Sequence, residues 1–451
     1  MNQSIPAVPA STASRDMQLA KFEVRGLFDQ LSHEIAFAPP REARPGPSLA
    51  ILHGPNGIGK TTILKMIDGL MRLDFNQFRR VPFTECSLHF STDDSISVRA
   101  KRNDVLQSLL VKYNEFEAEL HPRRPGPIDM DDEEQRNAVE KFRRAFFSAT
   151  DSLDFELIET TRILGTLDQW DDEDRGYLGA PPYAFTREQR ERYMLLHARE
   201  QNPKARTSEH TKDLAEEVRR FVREAQVNYR RFFTTTEPDL FPKILHRLAD
   251  SKPEDVRAEE LLKRLRTIRK EDQQARELGL EPEQWDYQEL ASFLEERKGS
   301  PEAIDHALTV LSAYVETLES RAAERQLVAE RLRNFEGLVS DFFENKRLVI
   351  HPRNGFKIET DQGKELSQDQ LSSGEYHLLY LMVSALVTQR RGTVIAIDEP
   401  EMSMHLKWQR RLISALMECA SKAEPQFIFA THSPDIAADY PDDMVNLHLP
   451  S

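Results

Sequence analysis

"GPNGIGKT", Gly54 to Thr61, governs how the rest of the sequence is read. It has the spacing G-x-x-x-x-G-K-[ST] and lies between an apolar strand, "LAILH", and a helix opening "TTILKMIDGL". Gly54, Gly57 and Gly59, with Pro55, Asn56 and Ile58 between them, allow backbone N–H groups to turn inward around phosphate oxygens. Lys60 adds a point charge for the β- and γ-phosphates, Thr61 a hydroxyl for magnesium, and Thr62 is grouped with them in the first helical turn. The octet therefore predicts a site for ATP with Mg2+. A strand-to-helix turn without a ligand would leave Lys60 and Thr61 to coincidence. Lys60 is expected to face solvent until phosphate arrives, and His53 to be a packed neutral side chain.

Two later stretches end in polar residues of matching chemistry. In "GTVIAIDEPE", Gly392 to Glu401, the apolar run Val394–Ile397 delivers Asp398 to a sheet edge, where a carboxylate can hold magnesium. Glu399, beside it, is placed to polarise an attacking water. "FIFATHSPDI" repeats the pattern, bringing Thr431, His432 and Ser433 to the same edge. His432 there can donate to the γ-phosphate.

Between these motifs and the phosphate loop stands "LSSGE", Leu371 to Glu375. Ser372 and Ser373 offer hydroxyls, Gly374 permits close backbone approach, and a helix starting here aims its positive end at an anion. A serine-rich cap on a core helix explains the same residues equally well. In the order phosphate loop, "LSSGE", "IDEPE", "THS", the chain resembles the ATP-binding-cassette head class. There such a signature reaches the nucleotide of a second subunit, which implies a nucleotide-binding role for Ser372, Ser373, Gly374 and Glu375. The form departs from the transporter "LSGGQ" by a serine and a glutamate.

The finer resemblance, carried by "DEPEMSMHLKWQ", is to prokaryotic ATPases of the AAA-15/AAA-21 type, relatives of structural-maintenance-of-chromosomes heads and of the overcoming-lysogenization-defect nucleases. Leu406 replaces the proline of the usual "LHP". The resemblance implies that Ser403, Met404 and His405 form a loop crossing a dimer interface, with His405 among the nucleotide-binding residues. It also implies a glutamine contacting magnesium after a head strand. Here "ETTRIL" puts Thr161 and Arg162 in that place, a departure that implies slow turnover, and Gln77 is a second candidate that reads as a surface residue.

Around these motifs the chain changes character. Residues 1–16 read as a disordered leader without the layout of a secretory signal, and 17–103 as the N-terminal lobe of a head, with a hairpin from "CSLHF" to "SISVRA". Residues 104–345 are Gly-poor and Glu/Arg-rich, a mainly helical insertion in which "DFELIETTRIL", 154–164, returns to the head as a strand. Its last segment opens at Pro301 and carries apolar residues at 304, 308, 311, 315, 318 and 322, then at 328, 332, 335, 339 and 342, a 3-4 seam with one break. Core packing in a helical subdomain and an antiparallel arm both fit it. Strands return at "RLVIH" and "FKIET", and 346–451 forms the C-terminal lobe. The expected fold class is thus α/β, a head of mixed sheet and flanking helices of the ATP-binding-cassette type, assembled from both ends of the chain around a large helical or coiled-coil insertion.

The net charge of −15 is concentrated in that insertion: residues 104–345 carry 37 Lys+Arg against 52 Asp+Glu, while the two ends balance at 24 each. An acidic middle disfavours non-specific clamping of nucleic acid, although a local basic patch could still bind it. No window approaches the length of a membrane span, and two cysteines make neither a disulfide framework nor a zinc cluster, so a cytoplasmic protein is expected. The resemblance implies a homodimer or higher homo-oligomer through the heads. It further implies a sensor or scaffold role in antiviral defence, as in the Septu and PARIS systems, with a separately encoded effector, since 19 residues after His432 leave no room for a nuclease domain. The alternative is a chromosome-associated or DNA-repair ATPase. A transporter subunit conflicts with the long insertion and the "EPExxxH" form.

Overall fold

A computed structural model of the chain describes residues 17–37, 47–79, 81–102, 107–121, 133–150, 153–160, 214–228, 241–242, 244–245, 257–282, 285–296, 299–388, 392–421 and 423–448. The chain divides into two compact units, Met1–Leu167 with Thr388–Ser451, and Asp168–Val387.

The first unit contains two sheets. One is parallel, in the order β14-β3-β13-β12-β8, from β3 (Ser48–His53), β8 (Phe155–Glu159), β12 (Val394–Asp398), β13 (Gln426–Thr431) and β14 (Met444–Asn446). Its central strands are buried throughout, which is why "VIAID" and "QFIFAT" read as nearly unbroken apolar runs. The other is antiparallel, in the order β2-β1-β4-β5-β6-β7, from β1 (Leu19–Leu27), β2 (Leu31–Ala36), β4 (Glu85–Phe90), β5 (Ser95–Arg102), β6 (Gln107–Tyr113) and β7 (Phe116–Leu120). It buries one face, so "LSHEIA" alternates buried and exposed residues along β2.

Helix α1 (Lys60–Arg72) contributes Ile63, Leu64, Ile67 and Leu70 to a core shared by both sheets, with Leu52 of β3, Ala396 of β12, Ile428 of β13, and Phe22, Leu88 and Val98 of the antiparallel sheet. Helix α2 (Glu133–Thr150) adds Phe142 and Phe146, edge-on to Tyr113 of β6. Strands β6 and β7 lie where the sequence reads as helical insertion. The acidic alternation of "FEAEL" hides a hairpin whose Asn114 has φ 50° at the turn, pairing Tyr113 with Phe116.

The second unit contains α3 (214–228), α4 (Ala258–Glu277), α5 (Tyr287–Glu296), α6 (Pro301–Phe342), the antiparallel strands β9 (Lys346–His351), β10 (Gly355–Thr360) and β11 (Glu365–Leu366), and α7 (Ser373–Val387). Helix α6 starts on a side-chain cap, Ser300 accepting from the Ala303 N–H, with Pro301 in the first turn. Its 42 residues span about 63 Å at ~1.5 Å per residue. Leu311, Val315, Leu318 and Ala322 of its seam pack with Leu261, Leu265 and Ile268 of α4 and Leu294 of α5. The break in the seam is Arg325, buried and ion-paired with the buried Asp272, which also accepts from Trp285 Nε1 at 2.9 Å. Strand β9 and helix α7 pack on α6, so the strands after 345 and the "LSSGE" helix group with the helical part rather than with the remainder of the C-terminal lobe.

Candidate functional site

The phosphate loop sits between β3 and α1. Gly57 (φ 83°) and Gly59 (φ 97°) adopt left-handed backbone, and a Cβ on Gly59 would lie 2.8 Å from Leu27 Cδ2. Gly59 is also the N-cap of α1 and brings no side-chain cap, which leaves first-turn N–H groups for an anion. Pro55, Asn56 and Gly57 are exposed, Gly54 and Ile58 are buried, and Thr61 and Thr62 are half-buried.

Lys60 does not face solvent, contrary to the expectation. It is 7% exposed and folds back across the loop, Nζ donating to the carbonyls of Gly54 at 2.7 Å and Pro55 at 3.1 Å. Burial lowers its pKa, against the opposing pull of Glu399, Asp398 and Glu401. The two carbonyls supply the acceptors that a buried ammonium needs in place of water.

Thr61 Oγ1 donates to Asp398 Oδ2 at 2.8 Å, joining residues 337 positions apart. Asp398 ends β12, and β13 lies between β12 and the phosphate-loop strand β3. Burial pushes its carboxyl up to about 6, with Glu399 and Glu159 raising it further against the Thr61 bond and Lys65. Its Oδ1 is buried without a partner. A hydroxyl and a carboxylate in contact, one oxygen unpartnered, are hard donors that fit magnesium completed by water and phosphate.

Beyond Asp398 the turn is tight: Glu399 has φ 50° and Ser403 φ 61°. A left-handed non-glycine residue costs on the order of 1–3 kcal/mol and clusters at functional sites. Glu399 N–H donates to Ala430 O at 2.8 Å, tying this turn to β13. His432 follows β13, its side chain 48% exposed, with Nδ1 3.8 Å from Glu399 Oε1 and 3.3 Å from Glu401 Oε1. His405 is exposed and caps α8 (Leu406–Cys419), Nδ1 accepting from Lys407 N–H at 3.3 Å. Met404 is buried and Ser403 exposed.

In the second unit, Ser372 and Ser373 are exposed, and Gly374 and Glu375 are buried. Ser372 caps α7 reciprocally: Glu375 N–H donates to its Oγ at 3.3 Å, while Glu375 Oε2 accepts from Ser372 N–H at 2.8 Å and Oγ at 2.9 Å. Lys346 of β9 donates to both Glu375 oxygens, at 2.7 and 2.9 Å. Burial pushes the Glu375 carboxyl up, and Lys346 and Ser372 together bring it below its ordinary value. The capping reading of "LSSGE" is thus realised, with Ser372 and Ser373 still accessible.

Thr161 and Arg162 lie outside the described residues. Gln77 is bound to Asp68 and Asp74, both at 3.4 Å, near the C-terminal end of α1. His53 is half-buried, its carbonyl accepting from Leu447 N–H. Sequence reasoning missed several supports. His33 of β2, 7% exposed, donates from Nε2 to the Ile58 carbonyl at 3.2 Å. Its signal was a polar residue at an inward position of "LSHEIA". The exposed Phe28 (φ 53°) lies against Gly59, its Cε2 3.4 Å from where a Cβ would stand. Thr160 Oγ1 donates to the Asp398 carbonyl at 2.6 Å, and Glu401 is buried at the centre of the 431–433 turn.

A catalytic-type constellation at the edge of a parallel sheet, reached by a phosphate loop, defines a nucleotide-binding α/β class. Residues 146–438 match the family described as "AAA domain, putative AbiEii toxin, Type IV TA system", almost two thirds of the chain, and the chain belongs to that family of ATPases. The phosphate loop lies upstream of the matched range. No curated protein matches the chain. Among solved structures it is similar to the Smc head domain with an extended coiled coil from Pyrococcus furiosus, bound there to the C-terminal domain of ScpA, at 12% identity over 96% of this chain and 94% of that one, TM-score 0.39. The Smc head with coiled coil and joint from Pyrococcus yayanosii gives 13% over 95% of each chain, TM-score 0.37, and the SMC head domain of Thermotoga maritima 10% over 93% and 91%, TM-score 0.35. These likenesses are too weak to transfer an activity or a partner.

Proposed function

We propose that this chain binds and hydrolyses ATP with magnesium, pairs with a second copy through its heads, and acts as the sensor or scaffold subunit of a prokaryotic antiviral defence system, controlling a separately encoded effector. The carrying observation is the 2.8 Å contact of Thr61 with Asp398 beside the folded-back Lys60. Loop N–H groups and the free end of α1 hold the phosphates, and Lys60 exchanges its two carbonyl acceptors for phosphate oxygens. Thr61 and Asp398 would hold magnesium, which when bound neutralises phosphate charge. Glu399, fixed through its backbone to β13, polarises the attacking water, and His432 completes the group. Phe28 offers a flat apolar face beside the loop for the base. The description of the matched family names a putative AbiEii toxin and a Type IV TA system, which supports a place in a system of that kind.

The test pairs two variants. Lys60→Ala should weaken ATP binding by roughly a hundredfold or more, the scale of one charge-assisted contact plus its preorganisation. Glu399→Gln should keep ATP bound and prolong the ATP-dependent dimer while slowing turnover at least ~100-fold. Unchanged ATP affinity in the first, or turnover within about twofold of the parent in the second, rejects the assignment.

A further inference from the structure

We infer that Glu401 is the positioning residue for His432, holding the imidazole with its proton on Nδ1 and the lone pair on Nε2. Glu401 is 6% exposed. Its Oε1 gathers three donors from the turn after β13: Thr431 Oγ1 at 2.6 Å, His432 N–H at 3.2 Å and Ser433 N–H at 3.2 Å. The turn is thereby fixed by one oxygen, and His432 is the residue within it whose side chain stays half exposed.

The same oxygen lies 3.3 Å from His432 Nδ1, and Glu399 Oε1 faces that nitrogen at 3.8 Å. A lone pair on Nδ1 would be repelled by both carboxylates, whereas an N–H is attracted, so the protonated nitrogen is the inner one. Neutral His432 then meets the site as an acceptor at Nε2, toward a water, and not as the phosphate donor its position alone suggests.

The consequence for catalysis rests on the nucleotide-site reading; the tautomer does not. The full-length protein, labelled with 15N-histidine and free of nucleotide, is examined by two-bond 1H–15N correlation at a pH where imidazole is neutral, His432 being assigned with His432→Gln. The parent should show the Nδ1–H tautomer, Glu401→Ala a shift toward Nε2–H, and Glu401→Gln, which keeps an accepting oxygen, most of the parent's pattern. In turnover, Glu401→Ala should lower kcat roughly 10- to 100-fold with KM near the parent's, and Glu401→Gln should recover part of it. An Nε2–H tautomer in the parent, or an unchanged His432 spectrum in folded Glu401→Ala, overturns the inference. Should Glu401→Ala not fold, the parent's spectrum decides alone. The expected spectra in a parent that neither binds nor hydrolyses ATP would instead sink the nucleotide reading and leave the positioning of His432 standing.

Discussion

Asp398 shows at the scale of one residue how burial and function conflict. Its carboxyl is raised to about 6 from an ordinary 3.8, chiefly by burial. A raised acid binds its proton more tightly folded than unfolded, so its contribution to stability is complete below about 3.8 and is lost as pH rises through about 6. At neutral pH the ionised group therefore costs the fold about 3 kcal/mol. Asp398→Asn, which cannot ionise, should be the more thermally stable of the two at pH 7.5, with the gap closing toward pH 4.5. Magnesium-dependent nucleotide binding by the parent should fall over the same descent, because the proton competes for the oxygen the metal needs. Equal pH dependence of unfolding in parent and variant would show that the carboxylate is solvated or paired in solution.

Among the elements, α7 is where two readings of one motif meet. Its cap is a closed set, Ser372, Glu375 and Lys346, and Glu375→Ala removes the cap's acceptor and strands a partly buried ammonium, a cost of about 1–3 kcal/mol. The exposed hydroxyl of Ser372 is a different matter. If the helix end serves a second copy's nucleotide, Ser372→Arg should leave ATP binding by the isolated chain within about twofold while abolishing ATP-induced association, measured by light scattering. Normal association would show that "LSSGE" only caps its helix. The motif was legible in the sequence, and so were the phosphate loop, the "VIAID" and "FIFAT" strands and the seam of α6. The β6–β7 hairpin was not, because its outward glutamates imitate a solvated helix face, nor was the buried Asp272 that answers Arg325 at the break of the seam.

For the whole molecule the prediction concerns partners. Among the described residues of the helical region, Arg219 pairs with Glu216, Arg220 with Glu217, and Arg264 with Glu319. Exposed pairs of this kind contribute little to stability and serve mainly to keep long helices solvated. Under the proposed function, the acidic excess of residues 104–345 would offer a docking surface to a basic effector, with charge speeding encounter more than strengthening the complex. Co-expressed with its neighbouring genes and purified with ATP and then without nucleotide, the chain should carry a second protein in amounts that differ between the two states. If nothing co-purifies in either, and the chain alone degrades DNA or RNA with magnesium, the separate-effector reading is wrong.

By itself the sequence determined which residues an element would deliver: an apolar run followed by Asp398 or His432, a glycine-rich octet before a helix, a serine before an apolar face. These are local properties, set by strand and helix periodicity and by what glycine permits. Only the tertiary structure decided which delivered groups meet. Strand order placed β13 between β3 and β12, brought Thr61 to Asp398 across 337 residues, and buried Glu401 beneath the 431–433 turn. It also folded Lys60 back onto its own loop, where the Gly54 and Pro55 carbonyls accept from the buried ammonium. Pairings between distant segments follow from packing two sheets around α1, and no local pattern encodes them.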